Sequence, residues 1–134
     1  VDRVDKSVYA QIRTNFPSVK IIQVIHVTGE ESVEEAVAVS KFVDGILLDS
    51  GNQNLKIKIL GGTGKVHDWT ISKKIRESIA VPLILAGGLN SENVAEAIKF
   101  VSPFAVDVCS GVRTNGILDE EKLKIFIQEV QNEN

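Results

Sequence analysis

Short apolar runs alternate with amphipathic segments along this chain. Four runs rich in branched aliphatic residues predict β-strands, because such side chains favour extended backbone and fill the buried faces of a sheet. The predicted strands are 19–27, 45–50, 82–86 and 105–109, and the strand at 82–86 is expected to be covered on both faces. Apolar positions at helical spacing predict helices at 7–16, 31–42, 69–79 and 119–130, and a fifth helix after Gly87-Gly88.

The alternation of strands and helices predicts an α/β fold. A helix followed by four strand–helix units implies a parallel sheet with right-handed crossovers, in a single domain over residues 1–134. In such sheets the chemistry lies beyond the carboxyl ends of the strands. Asp49, Gly87-Gly88 and Ser110-Gly111 all lie at or just after the ends of predicted strands, so we expect them to share one edge of the sheet.

The segment 82–98 is the most informative stretch of the sequence. Its apolar strand is followed by Gly87-Gly88, which permits a tight turn and leaves backbone N–H groups unshielded. Asn90 or Ser91 is predicted to cap the next helix, with Glu92 at its positive end. A glycine turn that opens onto a helix amino terminus suits a phosphate group. A plain strand–helix turn without a ligand is the alternative, because a glycine pair is a weak signal.

Composition narrows the class of protein. The 134 residues are 43% hydrophobic and 25% charged, which is typical of a soluble globular domain. The net charge is −3 without a basic tract, so nucleic acid is not an expected partner. No apolar run reaches the roughly 18 residues of a membrane span, and the first residues resemble neither a signal nor a transit peptide. The single cysteine fits a reducing cytoplasm, so a cytoplasmic location is expected.

Four motifs resemble one enzyme family, the phosphoribosylanthranilate isomerases of tryptophan biosynthesis. They occupy 45–50 (GILLDS), 61–69 (GGTGKVHDW), 85–94 (LAGGLNSENV) and 103–112 (PFAVDVCSGV), in the order and spacing of that family. The family fold is an eight-stranded TIM (β/α)8 barrel. The resemblance implies that this chain corresponds to the second half of the barrel, which is strands five to eight preceded by the fourth helix.

The resemblance also implies a reaction and its residues. The family converts N-(5-phosphoribosyl)anthranilate to 1-(2-carboxyphenylamino)-1-deoxyribulose 5-phosphate by an Amadori rearrangement, without a cofactor. A general acid protonates the furanose ring oxygen, and a general base then removes the proton from C2. Asp49 matches the acid. The positions implied to bind substrate are Gly87, Gly88, Ser110 and Gly111 at the phosphate. The resemblance assigns Asp107 to the anthranilate end of the substrate or to orienting the site.

The family's general base has no counterpart in these 134 residues. It is a cysteine in a Lys-Ile-Cys-Gly type strand at the start of the barrel, and the chain has no such motif. The chain alone is therefore expected to be inactive. The exposed interior of half a barrel predicts self-association or pairing with an N-terminal half. A half-barrel that binds a phosphosugar without turnover is one alternative function, and another phosphosugar-processing barrel is a second.

The candidate residues also have structural interpretations. Asp49 could cap a helix or form a salt bridge, and Asp107 could form an ion pair inside the fourth strand. Cys109 is expected to be a small buried residue on the same side of the strand as Asp107, rather than a reactive thiol. His26 is expected at the active edge, either contacting substrate or packed or hydrogen-bonded within the protein. Two histidines and one thiol without ligand spacing predict no metal site.

Residues 51–68 form a long predicted loop. Its Gly62-Thr63-Gly64-Lys65 segment lacks the spacing of a phosphate-binding P-loop. The resemblance implies that it is the sixth loop of the barrel, which closes over substrate. Lys65 could attract an anionic substrate, although a solvated lysine is the simpler interpretation, and His67 is expected to be solvated.

Overall fold

Four parallel strands form one sheet in the computed structural model of this chain, which describes residues 4–50 and 69–133. The strands are β1 (Ile22–His26), β2 (Gly45–Asp49), β3 (Leu83–Ala86) and β4 (Ala105–Val106). The helices are α1 (Lys6–Asn15), α2 (Glu31–Ser40), α3 (Thr70–Ser78), α4 (Val94–Val101) and α5 (Glu120–Asn132). A 3-10 turn at Ser110–Val112 and a hairpin of β5 (Arg113–Thr114) and β6 (Ile117–Leu118) separate β4 from α5. The predicted α/β fold of parallel strands and helices is confirmed.

The strands of the sheet lie in chain order, so each strand is hydrogen-bonded to the next one along the sequence. The register pairs His26 with Asp49 and Asp49 with Ala86. The carboxyl ends of β1, β2 and β3 therefore meet at one edge of the sheet, where the chemistry of parallel sheets is usually found.

One face of the sheet is well buried and the other is not, within the residues that the structure describes. Alternate strand positions are completely shielded from solvent, as shown by Ile46, Leu48, Leu83 and Leu85. Leu47 and Ile84 point to the opposite face and are only partly buried, and Ile22 is 50% exposed. The expectation that the third strand is covered on both faces is thus wrong for the described chain, because the helices pack against a single face.

The fourth strand is shorter than its sequence predicts. It pairs with β3 through Ala105 and Val106 only, and one further bond joins the Asp107 N–H to the Leu85 carbonyl oxygen at 2.8 Å. The chain then turns away into the 3-10 turn at Ser110–Val112. Asp107 therefore follows the strand rather than lying inside it, and the predicted extension of the strand to residue 109 is wrong.

Asp119 caps α5, which begins at Glu120. Its Oδ1 accepts hydrogen bonds from the N–H groups of Glu121 and Lys122, each at 3.2 Å. Its Oδ2 accepts from the Thr114 hydroxyl at 2.7 Å, which ties the hairpin to the helix. The Thr114 bond and then these amides hold the pKa of Asp119 below its ordinary value. At 13 residues α5 is the longest helix of the described ranges, and none of their helices is long and apolar enough to cross a membrane.

Asp44 joins α1 to the start of the sheet. Its Oδ2 accepts from the Ile21 N–H at 2.8 Å and from Arg13 Nη2 at 3.1 Å, and its Oδ1 lies 3.5 Å from Lys20 Nζ. The Ile21 amide, followed by Arg13 and Lys20, holds the pKa of the Asp44 carboxyl below its ordinary value. The ionised carboxylate therefore stabilises the folded chain.

We expect Asp44→Asn to lower the urea midpoint of unfolding near pH 7, with an effect that shrinks in acid. The folded pKa lies below the unfolded one, so the stabilisation is complete above the unfolded pKa and is lost as the pH falls through the folded value. Urea titrations of the wild-type chain and the variant at pH 7 and about pH 3 measure this. Glu77→Gln, on an exposed part of α3, is the control. A pH-independent difference would contradict the assignment.

Candidate functional site

A cavity of about 280 Å³ opens at the carboxyl edge of the sheet. Five of the six predicted site residues line it, together with one residue whose role was expected to be structural. The predicted residues are Asp49, Gly87, Gly88, Asp107 and Ser110, and the additional one is Cys109. Residues that are distant in sequence thus converge on one concavity, as expected from the parallel topology.

Asp49 ends β2 and presents its carboxylate to the cavity. Its Oδ2 lies 3.2 Å from Nδ1 of His26, the last residue of β1. The contact follows from the register, which places the two residues side by side on adjacent parallel strands. Both side chains remain partly exposed, at 41% for Asp49 and 44% for His26. The sequence predicted that His26 reaches the active edge and could be hydrogen-bonded, but it did not identify Asp49 as the partner.

The backbone at Gly87-Gly88 adopts the left-handed conformation at both residues, with φ values of 92° and 69°. Two consecutive positive φ values are strained for residues with a Cβ, so the turn requires glycine. Neither glycine N–H donates to a backbone carbonyl within the described residues. The predicted tight turn is confirmed, and its unshielded amides lie beside the cavity.

The connection from Gly88 to α4 differs in part from the prediction. Helix α4 begins at Val94 with Asn93, not Ser91, at its N-cap position. Asn90 makes the side-chain bond expected of a cap in the turn before the helix, because its Oδ1 accepts from the Glu92 N–H at 2.8 Å. Asn93 Oδ1 accepts from the Asn90 N–H at 2.9 Å, and Asn93 Nδ2 donates to the Gly88 carbonyl oxygen at 3.1 Å. These bonds form a separate turn between the glycines and the helix. Asn93 was missed, although asparagine is a residue type whose side chain often bonds to nearby backbone in turns.

Gly111 lies behind the glycine turn and is not part of the cavity lining. A Cβ at this position would collide with the Leu89 carbonyl oxygen and would lie 2.9 Å from Cα and Cβ of Asn90. The loops that follow β3 and β4 can approach each other this closely only because residue 111 has no side chain. The geometry gives Gly111 a packing role, which the sequence did not separate from direct binding.

Asp107 and Cys109 both face solvent at the cavity. Asp107 is exposed and takes part in none of the ion pairs found among the described residues, which disfavours the alternative of a structural ion pair. Cys109 is also exposed, so the prediction of a small buried residue is wrong. The two residues line the same cavity, as expected, but the strand ends at Val106 and does not bury the cysteine.

The predicted mobile loop, with Lys65 and His67, lies outside the described residues. Within the ranges 4–50 and 69–133, no group of three or more His, Cys, Asp or Glu side chains could hold a metal ion. The chemistry available to the described cavity therefore comes from two carboxylates, backbone amides, a hydroxyl group, a thiol and a neighbouring imidazole.

Comparison with known proteins identifies the family. The family model for N-(5'-phosphoribosyl)anthranilate (PRA) isomerase matches residues 2–129. The chain belongs to the PRA isomerase family. It is 42% identical over 123 residues to PRA isomerase 2 of Methanosarcina mazei, covering 91% of this chain and 54% of that protein. It is 54% identical over 92 residues to the isomerase of Methanosarcina acetivorans, covering 69% of this chain and 37% of that protein.

Solved PRA isomerase structures share the fold. The enzyme of Thermotoga maritima has a TM-score of 0.71 at 36% identity, covering 92% of this chain and 57% of that one. A PRA isomerase in complex with reduced 1-(o-carboxyphenylamino)-1-deoxyribulose 5-phosphate has a TM-score of 0.72 at 30% identity. The match covers 97% of this chain and 56% of that one. The chain thus spans about half the length of the PRA isomerases it matches.

Proposed function

We propose that this chain supplies the general acid and the phosphate site of a PRA isomerase. The observation that carries the proposal is the convergence of Asp49, the Gly87-Gly88 turn and Ser110 on one cavity. The reaction is the Amadori rearrangement of N-(5-phosphoribosyl)anthranilate, and the chain acts as one domain of the isomerase. The family's place in tryptophan biosynthesis and the single cysteine support a cytoplasmic location.

In the proposed mechanism, Asp49 donates a proton to the furanose ring oxygen. The bond from that oxygen to C1 breaks, its electron pair stays on the oxygen, and the nitrogen lone pair completes the C1=N bond. A base then takes the proton from C2, and proton transfers give the ketose. The position of Asp49 at the cavity supports its role as the acid. We propose that the base comes from a strand outside these 134 residues, because the chain has no Lys-Ile-Cys-Gly type motif.

We further propose that the phosphate group binds at the Gly87-Gly88 turn and Ser110. The two amides donate to no backbone carbonyl in the described structure, and an anion would satisfy them. The TIM barrel family commonly places phosphate after the seventh and eighth strands, to which β3 and β4 correspond. Gly111 supports this site by allowing the two loops to touch. Asp107, on the same cavity, is proposed to contact the anthranilate end.

The half-buried face of the sheet supports pairing with the rest of a barrel. Val24, Leu47 and Ile84 lie on this face and are only partly covered within the described chain. Burying them against further strands would complete a core, and the missing base would come from the same strands. A half-barrel that binds phosphosugar without turnover is the second candidate, favoured by the absence of the base motif.

The decisive experiment joins this chain to the part of Methanosarcina mazei PRA isomerase 2 that it does not match, which is about half of that protein. We expect the mixture or fusion to isomerise phosphoribosylanthranilate, while neither half alone does so. Product formation is followed by chromatography. In a separate NMR experiment, ribose 5-phosphate is added to the isotope-labelled chain, and the backbone amide signals of Gly87, Gly88 and Ser110 are followed. Amide shifts without turnover would favour the binding module. Neither shifts nor turnover would refute the proposed function.

A further inference from the structure

The pair formed by His26 and Asp49 lies between two adjacent concavities, whose linings share Val24. Asp49 lines the cavity of about 280 Å³, whereas His26 lines a larger groove of about 620 Å³ between α1, β1 and α2. His26 is absent from the lining of the cavity, and Asp49 from that of the groove. The 3.2 Å contact from Nδ1 to Oδ2 is therefore a bridge between the two spaces.

This arrangement matters because a general acid must recover a proton in every cycle. Substrate bound in the cavity covers Asp49 and hinders direct exchange with bulk water. His26 remains accessible from the groove side, with 44% of its side chain exposed. An imidazole has two nitrogens and exchanges protons readily near neutral pH, so it can accept a proton at one nitrogen and release another.

We propose that His26 passes protons from the groove to Asp49, so that the two side chains act as one proton-carrying pair. The inference rests on the proposed function, in which Asp49 is the acid. His26 does not line the cavity and acts through Asp49, so it is a positioning and proton-supplying residue.

The proton balance of the step is simple. The carboxyl group gives its proton to the ring oxygen, the C1–O bond breaks toward that oxygen, and Asp49 is left as a carboxylate. Protonated His26 then gives the Nδ1 proton to Oδ2, which restores the acid and leaves a neutral imidazole. Water in the groove reprotonates His26. No oxidant, metal or further reactant is needed.

Other charged groups face the pair from the surrounding elements. Lys6 of α1 and Glu31, Glu34 and Glu35 of α2 line the groove with His26, and Asp107 lines the cavity with Asp49. The groove side carries three carboxylates and one ammonium group. The groove side therefore carries an excess of negative charge.

The first test uses the 134-residue chain without any ligand. Ring-nitrogen NMR of the two histidines is recorded at fixed pH, and His26 is assigned through the loss of its signals in His26→Gln. We expect Asp49→Asn to shift the Nδ1 resonance of His26 and Asp107→Asn to leave it unchanged. An unchanged resonance in Asp49→Asn would show that the pair does not form in solution, and the proposal would fail.

The second test measures turnover after the chain has been joined to a complementary half. We expect His26→Ala to lower kcat about 10-fold with little change in KM, and added imidazole to restore most of the loss. His26→Gln keeps an N–H donor for Asp49 but has no group that gains and loses a proton near neutral pH, so it should be equally slow. Full activity of His26→Gln, or a loss that imidazole does not restore, would overturn the proton-carrying role.

These outcomes separate the inference from the proposed function. If the wild-type assembly does not turn over, the isomerase proposal fails, and the proton relay fails with it because it has no acid to supply. If the assembly is active and His26→Gln is equally active, only the relay is wrong. If Asp49→Asn shifts the Nδ1 resonance of His26 while the His26 variants have normal kinetics, the contact between the two side chains is purely structural and the relay is wrong.

Discussion

Replacing Gly111 with alanine is expected to destabilise the chain by about 3 kcal/mol and to abolish phosphate binding. The new methyl group would overlap the Leu89 carbonyl oxygen and crowd Asn90, both of which belong to backbone that cannot rotate away. The loops after β3 and β4 would have to separate, which would pull Gly88 and Ser110 apart. Urea unfolding measures the loss of stability, and NMR titration with inorganic phosphate measures the loss of binding.

Gly29→Ala is the matched control, because it is the same chemical change at a glycine with different surroundings. The added Cβ would meet Glu31 Oε2 at 2.6 Å, and that atom is the far end of a flexible, exposed side chain. The carboxylate can move aside, so we expect a change within about 0.5 kcal/mol. If Gly111→Ala were as well tolerated as Gly29→Ala, the close approach of the two loops would not exist in solution.

The parts of the fold that depend on hydrophobic burial could be predicted from the sequence. Branched aliphatic runs located β1, β2 and β3, and the glycine pair located the turn at the cavity. The same pattern did not reveal that one face of the sheet stays partly open, because an apolar residue such as Ile84 looks the same whether its cover comes from this chain or from another. Hydrophobicity identifies a surface to be buried but not its partner.

The ends of elements were harder to predict because side-chain hydrogen bonds determine them. Asn93 and Asn90 bond to the backbone of the turn and α4 begins at Val94, although a helix starting earlier would satisfy the apolar pattern equally well. The hairpin at Arg113–Leu118 was missed although the sequence carries its signal. Asn115-Gly116 is a favoured hairpin dipeptide, and both residues have positive φ values of 52° and 80°.

Some residues of the site could be predicted from the sequence, whereas the roles and partners of others could not. Asp49 and the glycines follow directly from where the strands end, so topology alone placed them at the cavity. The distinction between Ser110, which lines the cavity, and Gly111, which packs behind it, depends on a contact with residues about 20 positions earlier in the chain. The His26 contact with Asp49 depends on a register that the sequence does not state. Such pairings require the three-dimensional arrangement of the strands.

Asp49→Asn is expected to reduce turnover of the assembled isomerase at least 100-fold while leaving phosphate affinity within a factor of about two. Asparagine has nearly the same shape and can still bond to His26, but it cannot donate a proton to the ring oxygen. The phosphate site uses the Gly87-Gly88 turn and Ser110, which the substitution does not touch. Steady-state kinetics with a binding titration of ribose 5-phosphate measure both quantities.

Asp5→Asn provides the control for this substitution. Asp5 caps α1 at an exposed position, its carboxylate accepts from the Ser7 N–H at 2.8 Å, and asparagine is an equally good residue at a helix cap. We expect Asp5→Asn to retain full activity. A general acid acts only in the transition state, so its loss must appear in kcat and kcat/KM together rather than in binding. Undiminished turnover of Asp49→Asn would refute the acid assignment, and a loss confined to KM would place Asp49 in substrate binding instead.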